Sequence, residues 1–399
     1  MKIIVIGCGK IGKTIIEHVS KEGHSLVIVD NNREKVEELI ERYDVMGVVG
    51  NGASLDIQEE AGVKSADLVI AVTPEDEINI LASMVAKKLG ASSTIARVRN
   101  PEYLRQTKLM QEELGLSMVV NPEQETADEI INMVNLPSLL KLEPFAKGKV
   151  NLVEILVEEN NPLIGETLIT MSKKIKTKVL ICAIQRASHV IIPNGNFKIE
   201  QGDRLSITAN ASSLVTFLKE LNLIKSPLKN IMIIGGGKIS YYLAKELSNK
   251  KYHIKLIEMN KNRAEEMAEA LPKVDVICGD GTDHDLLIEE GIEASDACIA
   301  LTNVDEENII VSMYATRLKI KKVIAKIKRN SFLTMVNDLG IASIVSPKDI
   351  VASKIISYIR ALSNKRGSNV LTLYKLVNNQ VEALEFDAKK KQIMKAETR

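Results

Sequence analysis

Two glycine-rich turns are the parts of this 399-residue chain whose residue types and spacing are suited to binding chemistry. Gly7-x-Gly9-x-x-Gly12 closes the apolar run Ile3–Ile6 and opens a helical pattern. In that setting the first glycine permits a tight turn and the second lets backbone approach a phosphate. The third allows close packing of helix on strand. The helix amino terminus then presents unpaired N–H groups and partial positive charge to the anion. Asp30 ends the next apolar run, placed to accept both hydroxyls of an adenosine ribose and to repel a 2′-phosphate, which disfavours NADP. Gly235-x-Gly237 repeats the turn with Ser240 at the third position, and Glu258 repeats the carboxylate. Serine is small, so close packing there is strained but feasible; the alternative is a degenerate, purely structural copy. At later strand ends, Thr73 and Thr302 lie where an adenine or phosphate edge is expected. Arg97, with Lys326 as its match, can supply positive charge to a terminal phosphate, or else is a solvated strand-end charge.

These residues recur because the chain repeats itself. IIVIGCGKIG (Ile3–Gly12) answers IMIIGGGKIS (Ile231–Ser240), with Gly7 and Gly235 lying 228 positions apart, as do Asp30 and Glu258. VVGNGASLD around Gly50 answers ICGDGTDHD around Gly279, which places Asn51 opposite Asp280. LVIAVTPEDEIN answers ACIALTNVDEEN, and STIARVRN answers KVIAKIKRN. Five matching blocks with a single inserted residue indicate a duplicated domain.

Within each copy, short continuous aliphatic runs alternate with amphipathic segments such as Lys10–Ser20 and Arg33–Arg42. Continuous runs fit parallel strands buried on both faces. The expected fold class is therefore α/β, with two tandem Rossmann-type doubly wound parallel sheets. The first spans 1–121 and the second 228–346. Each is followed by a helix that starts at proline, Pro122–Val134 and Pro347–Leu362. The apolar stripes of these helices project beyond the six-strand unit, as a helix packing on a partner domain would show. Two prolines and a glycine mark Asn135–Gly148 as a linker, so crossover helix and linker together take 122–148. A small α+β module follows at 149–225, with strands Asn151–Val157, Val179–Gln185, Val190–Ile192 and Leu205–Thr208 and a helix Ser212–Leu221. After a second crossover helix at 347–366, residues 367–399 resemble only the opening of another such module.

Composition narrows the class. Hydrophobic residues make up 45% of the chain, enough for real cores, but aromatics are 3% and Trp is absent, so those cores are aliphatic. With 53 basic against 52 acidic residues the net charge is +1, which leaves no electrostatic footprint for nucleic acid. Cys8, Cys182, Cys278 and Cys298 form no CxxC pair and have no histidine at ligand spacing, so no metal site is expected. Small buried thiols in a reducing compartment are the ordinary reading. No signal peptide and no spanning segment are read, so a cytoplasmic protein without direct membrane insertion is expected.

Taken together, GCGKIG with Asp30, AVTPEDEIN (Ala71–Asn79), ARVRNP (Ala96–Pro101), VEEN-NPLIGETL (Val157–Leu168) and EQGDRL (Glu200–Leu205) resemble the RCK, or KTN, family of nucleotide-binding regulators of potassium transport. The resemblance covers nearly the whole chain, and the tandem arrangement is similar to Trk-type regulatory subunits, not to the single-unit Ktr type. It implies NAD(H) or ATP/ADP at Gly7, Cys8, Gly9, Lys10, Ile11 and Gly12, with Asp30, Asn51, Thr73, Pro74 and Arg97. Across the repeat the matching set is Gly235, Gly236, Gly237, Lys238, Ile239, Glu258, Asp280, Thr302 and Lys326. It further implies paired Rossmann domains, a homo-oligomer (dimer or tetramer), and docking on the inner face of the membrane beneath a Trk-type potassium-translocating subunit. Ser240 and the short second module depart from the family pattern.

An NAD-dependent dehydrogenase is the competing class. Hydride transfer needs an acid or base beside the nicotinamide, usually from a second domain. His18, His24, His189, His253 and His284 fall in surface or structural positions of the pattern, and no catalytic signature appears. No catalytic residue is therefore assigned. A third class, a scaffold with a permanent nucleotide, differs from a sensor only in lacking ligand exchange and ligand-dependent shape change.

Overall fold

Aliphatic runs too apolar to face water on either side build the core of each copy. The computed structural model describes residues 1–135, 139–145, 150–187, 189–221, 228–250, 252–329, 331–339, 341, 343–364, 370–376 and 381–386. In the first copy the elements run β1 (Lys2–Ile6), α1 (Lys10–Val19), β2 (Ser25–Asp30), α2 (Arg33–Arg42), β3 (Met46–Val49), α3 (Leu55–Glu60), β4 (Leu68–Ala71), α4 (Asp76–Leu89), β5 (Ser93–Arg97), α5 (Pro101–Leu104), α6 (Thr107–Glu112) and β6 (Met118–Val120). All pairings are parallel, in the order β3-β2-β1-β4-β5-β6. Alternate β1 residues serve opposite layers. Ile3 and Val5 join the core under α1, whereas Ile4 and Ile6 join the one that holds Ala82 and Ala86 of α4. The strand order reverses between β1 and β4, which opens a crevice at their carboxyl ends, where doubly wound sheets bind ligands.

α7 (Pro122–Asn135) leads to the small module: β7 (Leu139–Phe145), β8 (Val150–Leu156), α8 (Leu168–Lys174), β9 (Leu180–Arg186), β10 (His189–Ile191), β11 (Arg204–Ala209) and α9 (Ala211–Glu220). Its sheet is antiparallel, ordered β10-β9-β11-β8-β7. β7 corrects the linker reading, because half of that segment is a strand. Pro144 is tolerated there since β7 lies at the sheet edge, where one backbone N–H is not needed for pairing. The other residues read as linker, 136–138 and 146–148, lie outside the described residues.

The second copy runs β12 (Asn230–Ile234), α10 (Lys238–Ser248), β13 (His253–Glu258), α11 (Lys261–Ala270), β14 (Asp275–Cys278), α12 (His284–Glu289), β15 (Ala297–Ala300), α13 (Asp305–Arg317), β16 (Lys322–Lys326), α14 (Ser331–Asp338) and β17 (Ser343–Val345). Its order, β14-β13-β12-β15-β16-β17, reproduces the first sheet. After α15 (Pro347–Asn364), β18 (Val370–Leu376) and β19 (Val381–Phe386) form an antiparallel pair. Residues 387–399, read with that segment, lie outside the described residues.

α15 has a destination that spacing alone did not give. The chain divides into two compact units, and 345–363 belong with 1–127. Val351, Ala352, Ile355, Ile356 and Ile359 are buried in the same core as Ile3, Ile15 and Ile28. Each of the valine and isoleucine side chains among them contributes about 1.5–3 kcal/mol on burial. Arg360 of α15 pairs with Glu22 behind α1, and Lys354 pairs with Glu125 of α7. The first Rossmann-type domain is thus completed by a helix encoded after the second.

Asp296 anchors the start of the second sheet. Its carboxylate accepts the backbone N–H groups of Lys229 (2.8 Å) and Asn230 (3.0 Å) and pairs with Lys321 (2.6 Å). Burial pushes this carboxyl up, but those donors outweigh it and hold the pKa at about 2. A depressed folded-state pKa gives stability that is present above the ordinary value of 3.8 and is lost as pH falls towards 2. Urea unfolding followed at several pH values is expected to show Asp296→Asn less stable than wild type near neutrality, with the gap closing across that acidic window.

Candidate nucleotide sites

The β1–α1 turn has the shape that its glycines predict. Gly7 holds φ +100°, and a Cβ there would meet the Thr73 backbone at 2.8 Å. A Cβ on Gly12 would stand 2.0 Å from the Gly7 carbonyl oxygen. Gly9 differs from both, since a Cβ on it would meet nothing within 4 Å. The turn is therefore tight where it packs and open where a phosphate would approach. α1 begins at Gly9 with no side-chain cap and no acidic residue in its first turn. Its leading N–H groups lack intrahelical partners, which suits an anion. Lys10 is exposed at the helix start, and Ile11 packs against the core below.

Asp30 is 9% exposed and braces the turn. One oxygen accepts the Cys8 N–H at 2.7 Å and the other the Asn32 N–H at 2.9 Å. Each carboxylate oxygen has a further lone pair for a ribose hydroxyl. Burial, with Asp30 beside it, pushes the Cys8 thiol up to about 12, so this cysteine stays a neutral packing group. Asn51 accepts from the Ala53 N–H and shapes the loop after β3.

At the ends of β4 and β5 the structure adds residues that the site assignment lacks. Asn79, fully buried, accepts from the Thr73 N–H (2.7 Å) and hydroxyl (2.8 Å) and donates to the carbonyls of Thr73 and Arg97 (both 3.0 Å). Arg97 itself donates to the Thr73 carbonyl at 2.7 Å, and burial lowers its pKa. Asp76 accepts the N–H groups of Arg99 and Asn100. Gln58 donates to Gly52 and Ala82, tying the Asn51 loop to α4. Pro74 is exposed at the mouth. Asn79 and Asp76 lie inside the repeated block AVTPEDEIN, and that repetition was the signal available for them.

The second copy rebuilds this frame with different parts. Gly235 holds φ +96°, Gly237 is as open as Gly9, and α10 again starts uncapped without early acids. Glu258 accepts the Gly236 N–H at 2.5 Å and the Asn260 N–H at 2.8 Å. The longer Glu258 side chain fills the space above Gly236, where a Cβ would meet it at 2.9 Å. Cys8 with the shorter Asp30, and Gly236 with Glu258, are thus matched pairs. Ser240 is fully buried and its hydroxyl donates to the Gly235 carbonyl, which turns the steric penalty of a third non-glycine into a hydrogen bond. Asn308 repeats Asn79, accepting from Thr302 and donating to Thr302 and Lys326. Asp305 repeats Asp76. Lys238 is exposed, Ile239 is buried, and Asp280 accepts from Thr282. Lys326 departs from Arg97, because its ammonium is buried on the Leu301 carbonyl at 2.8 Å. Among the described residues no group of His, Cys, Asp and Glu is arranged to hold a metal ion.

Two frames of the same design, in tandem, match what is found in known proteins. Residues 3–122 and 231–347 match the TrkA-N domain, and 152–222 match the TrkA-C domain. The chain belongs to the TrkA family. The Trk system potassium uptake protein TrkA of Vibrio alginolyticus is 34% identical over 391 residues, covering 96% of this chain and 83% of that protein. A TrkA homolog of Methanosarcina mazei is 32% identical over 399 residues, covering 98% and 96%. Among solved structures, the GsuK channel has a TM-score of 0.68 at 20% identity, over 91% of this chain and 64% of that one. The GsuK channel bound to NAD scores 0.67 at 19%, over 94% and 66%. At these identities the likeness establishes the RCK-type fold. The TrkA relatives are named as potassium uptake proteins, not enzymes, so the dehydrogenase alternative is set aside and a regulatory role in potassium uptake is supported. No described helix is long and apolar enough to cross a membrane.

Proposed function

We propose that this TrkA-family chain is a nucleotide-sensing regulatory subunit of a potassium uptake system, binding NAD(H) or ATP/ADP at both glycine turns. One observation carries the reading: Gly9 and Gly237 each leave open space beside an uncapped helix start, with a carboxylate braced at the end of the adjacent strand. The residues fit the group. The first-turn N–H groups of α1 and α10 would hold its phosphates, and Asp30 and Glu258 would accept the ribose hydroxyls. Thr73, Pro74 and Arg97 would line the far side of the first site, and Thr302 that of the second, behind which Lys326 is buried on the Leu301 carbonyl. The buried Asn79 and Asn308 fix these strand ends in place. GsuK has been solved with NAD and with ADP, which supports both ligand classes on this fold.

The response is a change in hinge angle between paired Rossmann domains, passed to a membrane-embedded Trk-type potassium-translocating subunit. The chain acts as a homo-oligomer at the inner face of the membrane. Such coupling requires ligands that bind two states with different affinity. Calorimetric titration of nucleotide-stripped protein with NADH, NAD, ADP and ATP is the test, with NADH absorbance followed across a panel of hydroxy acids and ketones. Reversible binding with distinct affinities and no oxidation is expected. Asp30→Ala is expected to weaken the first site about tenfold by removing the ribose acceptor. Substrate-dependent NADH oxidation, or affinity unchanged in Asp30→Ala, would reject the reading.

A further inference from the structure

Arg263 belongs to the second site and has no chemical counterpart in the first. It sits in the first turn of α11, and its Nε donates to the Gly236 carbonyl at 2.8 Å. Its Nη1 donates to Glu266, also at 2.8 Å. Gly236 is the middle residue of the glycine turn, whose N–H is held by Glu258. The guanidinium is therefore pinned by its edges between turn and helix, beside the carboxylate placed for a ribose. A base carried on that ribose comes next along the crevice. Bonds made in the plane leave the faces of the plane for stacking, and 35% of the side chain is exposed. At the equivalent position the first copy has Lys35, exposed, a compact charge with no plane to stack.

We propose that Arg263 is a specificity-determining residue of the second site, its guanidinium plane stacking on the purine ring of a nucleotide seated at Gly235–Gly237 and Glu258. The proposal rests on the nucleotide reading of that site. An arginine already held by Gly236 and Glu266 loses little freedom when a base arrives, so most of the stacking attraction appears as affinity. A purine offers the plane more overlap than a pyrimidine does. The second site therefore favours ADP over UDP more strongly than the first, and the two sites of one chain read the base differently.

The test is calorimetric titration of the full chain with ADP and UDP, fitted to two sites, in an Asp30→Ala background, which weakens the first site about tenfold and so separates it from the second, with and without Arg263→Lys. The ADP-to-UDP affinity ratio is expected to fall about tenfold in Arg263→Lys, chiefly through weaker ADP binding. In an otherwise wild-type chain, Lys35→Arg is expected to raise the same ratio at the first site. An equal loss for both nucleotides means that Arg263 only braces the turn or meets phosphate, and overturns the proposal. A ratio that does not move overturns it too. If the Asp30→Ala parent binds neither nucleotide, the nucleotide reading of the second site fails and Arg263 loses its role with it; binding by the parent with an unmoved ratio leaves that reading standing.

Discussion

Ile355→Ala is expected to destabilise the first Rossmann-type domain by about 2–5 kcal/mol, the range for truncating a fully buried isoleucine in a core that relaxes only partly. Ile355 is 0% exposed and lies among Ile3, Ile15, Ile28 and Val72, residues more than 280 positions earlier in the chain. The largest effect of the substitution should therefore appear far from it in sequence. Hydrogen exchange is the measurement: peptides covering 2–30 and 68–72 are expected to lose protection, and those covering 230–258 much less. Equal loss in the two copies would mean that α15 supports both, contrary to its packing in the core of residues 1–127.

Gly12→Val is expected to lower nucleotide affinity at the first site by roughly 10- to 100-fold, from about 1–3 kcal/mol of overpacking. The new Cβ would stand 2.0 Å from the Gly7 carbonyl oxygen, so turn and helix must separate and the N–H groups aimed at the phosphates move with them. Gly12→Ser is the informative control. Ser240 occupies the same place in the second copy and satisfies the Gly235 carbonyl with its hydroxyl. Serine at 12 is therefore expected to keep affinity within about threefold of wild type, because a hydrogen bond offsets part of the crowding. Two-site calorimetry with ADP checks both variants. Equal losses for valine and serine would show that the hydroxyl contact does not relieve the strain.

Much of the molecule was legible in the sequence, for reasons that are local. GCGKIG and GGGKIS, each between an aliphatic run and an amphipathic run, specify a strand, a tight turn and a helix through steric rules that act within a few residues. Asp30 and Glu258 were placed because the end of a buried strand is fixed by where its apolar run stops. The internal repeat then carried each assignment across to the other copy. Leu139–Phe145 was misread because proline signals a break in the chain, yet an edge strand accepts it; whether a strand is an edge is a property of the sheet.

What only the tertiary structure decided concerns side chains whose partners are distant in the chain. Asn79 and Asp76 stood in a repeated block, but nothing local says that Asn79 joins β4 to β5 or that Asp76 holds the loop at Arg99. Lys326 aligned with Arg97, but a shorter span and a single ammonium send it to a buried carbonyl. Arg263 gave no signal at all, because its meaning comes from the Gly236 carbonyl, 27 positions earlier, which it meets only in the fold. The apolar stripe of α15 showed that something must cover it, and only the fold showed that the cover is the first domain. Sequence patterns report which groups must leave water; which group then meets which is set by the backbone path of the whole chain.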